Sequence, residues 1–344
     1  MVEPINWSSI LALFSFLSTL SCISFIYLYL KLKSFNANII PQDEYPKEIS
    51  PSLPLPKFPN YFISLIGSGS QFLLLTYFLS ILLATISVSS KFLIVAGLLF
   101  FMISCFISGY ISGSFQQYLN QKNWLQNIIF SSANFYGTSI LLVSLLSLIS
   151  SNLPSISRLI LLLVLLMIIS MPITFYGQIY GKNYTNCCPH LANNTNIKAE
   201  LPKPINWYAI MSTFLIIYIQ VYIISNSSWT FYIGIYHSIC FVSFTLTLLF
   251  EILSQFIVTY YVIASKNPYS MWTSFLQGAA KGVFLFLFLA ISTISSTLGF
   301  EEIILNLAYL LIVCWGVFLT LGSLGVLSSF FIYQHLMSKI KLTV

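Results

Sequence analysis

The sequence predicts an all-α polytopic integral membrane protein, a helix bundle with nine transmembrane helices. Composition is the first observation: 58% of the 344 residues are hydrophobic and only 6% are charged, against roughly 25% charged in a soluble domain. The second is the placement of the apolar residues. They gather into nine runs that each reach the about 20 residues a membrane-spanning helix needs. The third is the placement of the few charges, which fall between the runs. These features exclude a cytosolic enzyme, a secreted domain and a disordered tail.

The nine runs lie near 9–31, 62–86, 92–113, 125–149, 158–180, 207–226, 231–263, 274–297 and 303–335. Hydrocarbon offers no partner to a backbone N–H or C=O, so runs this apolar on all sides must be helices. The first has no basic residues before it and Lys31 and Lys33 after it, the pattern of a retained anchor rather than a cleaved signal. The seventh and ninth exceed 30 residues. They must tilt, kink or project beyond the bilayer, since halving either would leave two spans that are too short. The chain therefore divides into a short lumenal N-terminus (1–8), a first span (9–31), a linker (32–61), an eight-helix transmembrane bundle (62–335) and a tail (336–344). The linker carries Pro41, Pro46, Pro51, Pro54 and Pro56, a composition that favours extended chain. Like the polar segment 181–206, which reads as a loop, it falls short of the about 40 residues an independent fold requires.

The net charge of +6 would suggest nucleic acid on a soluble protein; here it reports orientation, and no nucleic-acid partner is expected. One set of alternate loops carries Lys31, Lys33, Lys47, Lys57, Lys122, Lys182, Lys198, Lys203, Lys266, Lys339 and Lys341. The other carries only Lys91 and Arg158. Basic loops stay in the cytosol, so the N-terminus and the Glu301–Glu302 loop are expected to be lumenal, and the linker and tail cytosolic.

Signatures of common enzymes are missing: no Walker-type loop, no His-Glu-x-x-His, no Gly-x-Ser-x-Gly. No catalytic, metal or cofactor site is expected, and the chain is read as non-enzymatic. Cys187-Cys188-Pro189-His190 falls short of a four-ligand zinc site; at the membrane surface it is either an inert loop or a target for S-acylation. Gly67-Ser68-Gly69-Ser70-Gln71 resembles a phosphate loop but has no lysine and opens an apolar span. Gly67 and Gly69 are better read as allowing two backbones to approach in lipid. Gly109/Gly113, Gly177/Gly181 and Gly278/Gly282 share the small-xxx-small spacing, and Gly322/Gly325 do something similar in the ninth run. Packing within the bundle is the favoured reading of these glycines, with contact to a client helix as the alternative.

Ionisable groups at membrane depth are the one anomaly. Glu251 lies about 12 residues from the cytosolic end of the seventh run and Lys281 about seven residues into the eighth, depths of roughly 18 and 10 Å. A lone charge there costs several kcal/mol, so the two are expected to pair if their helices are neighbours. Thr247, Ser254 and Gln255 share the face of Glu251, and Gln277 precedes Lys281 by one turn. Glu251, Gln255 and Lys281 are thus the candidate intramembrane polar site, either a structural ion pair or the centre of a secondary transporter or channel. His237, 14 residues before Glu251, lies about 21 Å away along the helix and is read as interfacial.

Several short stretches, in order along residues 60–335, resemble the nonaspanins, the transmembrane 9 superfamily. They are Leu65-Ile66-Gly67-Ser68-Gly69-Ser70-Gln71, Ser108-Gly109-Tyr110, Trp124, Phe135-Tyr136-Gly137, Met171-Pro172-Ile173-Thr174-Phe175-Tyr176-Gly177 with Gly181, Trp272-Thr273-Ser274-Phe275 and Leu321-Gly322-Ser323-Leu324-Gly325. Where that family has a large lumenal domain before its first span, about eight residues stand here. Its Glu-Asp pair is replaced by Lys266-Asn267. Its coat-binding tail signal is replaced by Lys341-Leu342-Thr343-Val344. The resemblance implies a multi-pass protein of Golgi and endosomal membranes that sorts other membrane proteins, with glycine-rich client spans, or a full-length nonaspanin, as partners beside the lipid bilayer.

Overall fold

The computed structural model describes residues 56–85, 90–121, 123–149, 156–184, 233–264, 271–296 and 299–342, together with Ile210, Phe214, Ile217 and Tyr218. Seven α-helices fill these segments: α1 (Pro59–Thr85), α2 (Ser90–Tyr118), α3 (Trp124–Ile149), α4 (Ile156–Tyr184), α5 (Ile233–Ala264), α6 (Met271–Ser296) and α7 (Phe300–Leu342). They correspond to the second to fifth and seventh to ninth apolar runs. The four separate helical residues belong to the sixth run, and the first run lies outside the described residues, as do the linker before residue 56 and the Cys187–Cys188 pair. Among the described residues there is no strand. Among the described residues, five helices are long and apolar enough to cross a bilayer: α1, α2, α5, α6 and α7.

Helix ends are set by local chemistry. Pro59 opens α1 at the position where a missing N–H costs nothing. α2 closes with Asn120 in the left-handed region (φ 49°), the Gln121 N–H bonding to the Gln116 carbonyl at 3.0 Å and the Asn120 N–H to that of Gln117 at 3.1 Å. This is the Schellman arrangement, which satisfies the last carbonyls of a helix. α4 continues through Tyr184, so the first four residues of the expected loop 181–206 are helical. α7 is a single helix of 43 residues, about 64 Å long, and therefore projects beyond a bilayer about 45 Å thick.

The bundle buries many polar side chains beside its apolar core and turns apolar side chains outward. On α2, Val95, Leu98, Leu99, Met102, Ile103 and Phe106 are exposed at helical spacing, while Ser104, Ser108 and Ser112 are buried. α5 exposes Leu249, Ile252, Leu253 and Phe256 and buries Thr247, Glu251, Ser254 and Gln255. Water would reverse this pattern; lipid permits it, because tails solvate aliphatic side chains and small residues let helices approach. Buried serines satisfy themselves by donating back along their own helix, as Ser64 does to the Tyr61 carbonyl (2.7 Å) and Ser70 to that of Gly67 (2.8 Å).

Helix direction follows from the contacts. Gly109 and Gly113 of α2 meet Thr174 and Gln178 of α4 in the same order, so these two run parallel. α6 and α7 are antiparallel, Gly278 meeting Leu321 and Gly282 meeting Phe318. α1 runs antiparallel to α2 (Gln71 with Cys105, Gly97 with Leu79) and parallel to α3 (Asn60 with Gln126, Gln71 with Tyr136). In these described pairs, helices from runs an even number apart are parallel and those from runs an odd number apart antiparallel.

Gly67-Ser68-Gly69-Ser70-Gln71 is the hub. A Cβ on Gly67 would lie 3.2 Å from those of Ser112 (α2) and Ser131 (α3), and one on Gly69 would meet Leu319 and Ser323 of α7. Ser108 Oγ donates to the Gly67 carbonyl at 2.6 Å. Gln71 Nε2 donates to Tyr136 Oη at 3.0 Å and to Cys105 Sγ at 3.1 Å. The main core, around Phe62, Ile66, Phe115, Phe275, Leu319 and Phe330, lies toward the end of the bundle where α1 and α6 begin, called here the Lys57 end. There Trp272 Nε1 donates to the Lys57 carbonyl at 2.7 Å, and its ring packs on Phe62 and Phe275. Trp272→Phe keeps the ring contacts and loses one hydrogen bond. A stability loss of about 1 kcal/mol is expected in denaturation of the detergent-solubilised protein.

Candidate intramembrane polar site

Every polar residue of the site comes from the inner stripe of a helix that is otherwise apolar. On α5, Thr247, Glu251, Ser254 and Gln255 follow i, i+4, i+7, i+8 spacing, which stacks them on one face; all are buried. On α6, Ser274, Gln277 and Lys281 do the same at i, i+3, i+7, also buried. The expected meeting of the two charges occurs. Lys281 Nζ and Glu251 Oε2 form an ion pair with side-chain exposures of 0% and 1%. Gln255 Nε2 donates to the other carboxylate oxygen, Oε1, at 3.0 Å. Ser254 Oγ donates to the Glu251 carbonyl at 2.9 Å.

The pair joins two helices whose backbones seldom come close. The backbones of α5 and α6 approach within 8 Å at only a few positions, whereas α6 and α7 lie close along their length. Gly278 and Gly282 make that closeness possible: a Cβ on Gly278 would fall on the Leu321 carbonyl, and one on Gly282 would lie 2.8 Å from the Phe318 nitrogen. In return Gly322 accepts the Phe275 ring, and Gly325 accepts the Ser274 carbonyl and the Gln255 amide. α7 therefore forms the floor under α5 and α6, with Gly325 beneath Gln255. The pair is dry enough that neither charge survives alone without cost, and it couples two helices that otherwise share little contact.

The packing glycines read from the sequence all face neighbours. Gly109 and Gly113 abut the Thr174 and Gln178 backbones, and Gly177 and Gly181 abut those of Phe106 and Tyr110. The interface of α2 with α4 is thus reciprocal, each helix lending two glycines to the other. Gly137 is different: among the described residues, nothing lies within 4 Å of where its side chain would begin. The side chain of His237 lies outside the described residues.

Buried polar groups beyond those of the candidate site were not singled out by sequence, among them Gln116, Gln178, Asn127 and Thr259. Gln178 Nε2 donates to Gln116 Oε1 across α4 and α2, near the Lys57 end. Among the described residues, Asn127 at the start of α3 buries both amide atoms without a protein partner, and Gln178 Oε1, Gln255 Oε1, Thr259 Oγ1 and Gln277 Nε2 are also without one. A lone carboxamide inside an apolar run is the signal such groups leave in a sequence; the partner, on another helix, leaves none. No group of His, Cys, Asp and Glu suited to a metal ion occurs among the described residues.

Comparison with known proteins fits this architecture. The family model of endomembrane protein 70 matches residues 3–301. Transmembrane 9 superfamily member 4 of Arabidopsis thaliana is 26% identical over 309 residues, covering 83% of this chain and 51% of that protein. Member 3 of the same plant is 28% identical over the same shares, and member 1 of Mus musculus 26%. The chain spans about half the length of these curated relatives. No solved structure matches it. Residues 3–301 take in α1 to α6 and with them the glycine hub, the reciprocal α2–α4 interface and the Glu251–Lys281 pair, so this helix bundle belongs to the endomembrane protein 70 family, the transmembrane 9 superfamily.

Proposed function

We propose that this protein is a non-catalytic sorting or escort factor of secretory and endosomal membranes, acting on other membrane proteins through helix contacts inside the bilayer. The N-terminus faces the lumen and the C-terminus the cytosol, as the eleven-to-two distribution of basic residues directs. The clients are proteins whose spans are rich in glycine, since such helices pack poorly against lipid and well against another backbone.

The observation that carries this reading is the open glycine on α3. The other glycines at small-xxx-small spacing are filled by the bundle itself, so they have no surface to lend to a client. Gly137 is half-buried, with Ala133, Asn134 and Thr138 half-buried beside it. A helix with its own glycines can approach closely there.

Gly137→Leu fills that notch with a side chain whose Cβ meets no described neighbour within 4 Å, and an unchanged melting temperature of the variant separates docking from folding. Losing one close helix contact of about 1 kcal/mol lowers recovery of bound clients about fivefold. Single-span proteins with glycine-rich spans are expected to co-purify with the wild-type protein from native membranes and to be depleted with Gly137→Leu. Equal recovery with a folded Gly137→Leu protein removes the docking notch. An unchanged distribution of single-span proteins in cells lacking this protein removes the sorting function. Co-purification with a full-length superfamily member alone would assign an assembly role instead.

A further inference from the structure

We infer that on the α2–α4 face the hydrocarbon of the bilayer ends at Tyr110 and Tyr176, about two turns short of the Lys57 end, and that phospholipid headgroups pack there against Tyr110, Tyr176, Tyr180 and Lys182. The last turns of the bundle, which hold the main core, then stand in the headgroup layer. The proposal is independent of the escort reading, because it concerns the lipid around the bundle rather than a client.

Register fixes the height. α2 and α4 run parallel, with Gly109 against Thr174 and Gly113 against Gln178. The Tyr110 backbone lies against Gly177 and Gly181, so Tyr110, Tyr176 and Tyr180 form one band across the two helices. All three are exposed. Trp124, exposed at the start of α3, brings its ring to 5.6 Å from that of Phe175 and joins the band. On the side away from Lys57, the outward side chains of both helices are apolar among the described residues, as with Leu99, Met102 and Phe106 on α2 and Leu161, Val164 and Ile168 on α4. On the Lys57 side, α2 turns Gln117, Tyr118 and Asn120 outward, and α4 turns Lys182 and Asn183 outward.

The distance to the opposite end fits a hydrocarbon layer. Lys91 and Arg158 stand in the first turns of α2 and α4, and the register puts them within one turn of the same height. From Lys91 to Tyr110 is about 28 Å of helix, and from Arg158 to Tyr176 about 27 Å, against hydrocarbon about 30 Å thick. A tyrosine ring at such a limit lies beside the acyl chains and offers its hydroxyl to headgroup oxygens and water. Lys182, exposed and two residues beyond Tyr180, adds a cation complementary to lipid phosphate. Sliding the bilayer two turns toward Lys57 would carry Tyr110 and Tyr176 into hydrocarbon and leave the exposed Val95 outside it.

Interior packing agrees with this height. Gly67 sits between Ser108 and Ser112 of α2, hence level with Tyr110, and Gly69 meets Leu319 and Ser323 of α7. Phe62 and Leu65 on α1, Phe115 and Leu119 on α2, and Val326 and Phe330 on α7 therefore lie on the Lys57 side of the band, and all belong to the main core. Water drives the burial of such side chains, whereas lipid tails solvate them as well as a protein interior does. A large apolar core is thus of most use in the part of the bundle that reaches past the hydrocarbon.

The test uses the wild-type full chain in vesicles of phosphatidylcholine and phosphatidylserine. A trace of phospholipid carries a photoactivated diazirine, placed either on the headgroup or at the acyl chain end near the bilayer midplane. Adducts are located along α4 by mass spectrometry. The headgroup probe is expected to mark 176–182 at least about fivefold more than 161–169, and the chain-end probe to show the reverse preference. Equal marking of the two segments by the chain-end probe overturns the proposal, as does preference of the headgroup probe for 161–169. So does the absence of adducts on 176–182 with both probes, the result a second copy seated on this face would give.

Discussion

Lys281→Met is expected to destabilise the protein by about 3 kcal/mol, and Glu251→Leu by a similar amount, while the double variant Glu251→Leu/Lys281→Met regains most of the loss. Removing one partner of a buried ion pair leaves the other as an uncompensated charge and costs about 3–5 kcal/mol; removing both leaves an apolar seam that is often no less stable. One feature places this pair at the lower end of that range: Glu251 keeps the hydrogen bond from Gln255 when Lys281 is lost. The double variant is not neutral either, because Gln255 Nε2 then loses its acceptor, a cost of about 1–3 kcal/mol for a buried donor. Melting of the four proteins in detergent closes a double-mutant cycle. A coupling energy near zero would show that the two charges do not depend on each other, and the pair would cease to be the joint between α5 and α6.

The meeting of Glu251 and Lys281 was legible because a charge in hydrocarbon must be answered within reach, and each sequence neighbourhood offers one candidate at a depth that two long side chains can bridge. The glycine pairs were legible for the same kind of reason: spacing of four puts both on one helix face, and that face must adjoin something. Which helix adjoins which was not legible. Gly109 meets α4 rather than α1 because Ser108, its chain neighbour, points at Gly67, a choice made by the assembled bundle. Gln71 illustrates the same limit. Its position in a glycine-serine run was noted, yet its partners Cys105 and Tyr136 stand 34 and 65 residues away. Nothing in either neighbourhood marks them, since a single Cys or Tyr in an apolar run is equally suited to face lipid. Helix ends were misjudged by a few residues where polar side chains extend a helix beyond its apolar part, as at Gly181–Tyr184 of α4 and beyond residue 335 of α7. Hydropathy marks the limits of the hydrocarbon, and helical hydrogen bonding continues past them.

Gly109→Ala and Gly177→Ala are each expected to destabilise the protein by about 1–3 kcal/mol, the range for overpacking a close-fitted interior, although alanine is the better helix former by about 1 kcal/mol in water. The added methyl on Gly109 falls on the Thr174 carbonyl and that on Gly177 on the Phe106 carbonyl. Backbone cannot swing aside as a flexible side chain does, so α2 and α4 must separate. Separation forfeits dispersion contacts along the whole interface, and in lipid those contacts are the main attraction between helices. It also stretches the buried Gln178–Gln116 hydrogen bond, which lies one turn from Gly113 and Gly181. Because a single separation makes room for both methyls, Gly109→Ala/Gly177→Ala should cost less than the sum of the two, in contrast to distant sites that add. Gly137→Ala supplies the control. With no described residue within 4 Å, it should melt at or above the wild-type temperature. Melting temperatures of the four variants in one detergent give the comparison, and Gly109→Ala and Gly177→Ala as stable as Gly137→Ala would falsify the reciprocal glycine interface, and with it the view that these glycines are consumed by the bundle rather than offered to a client.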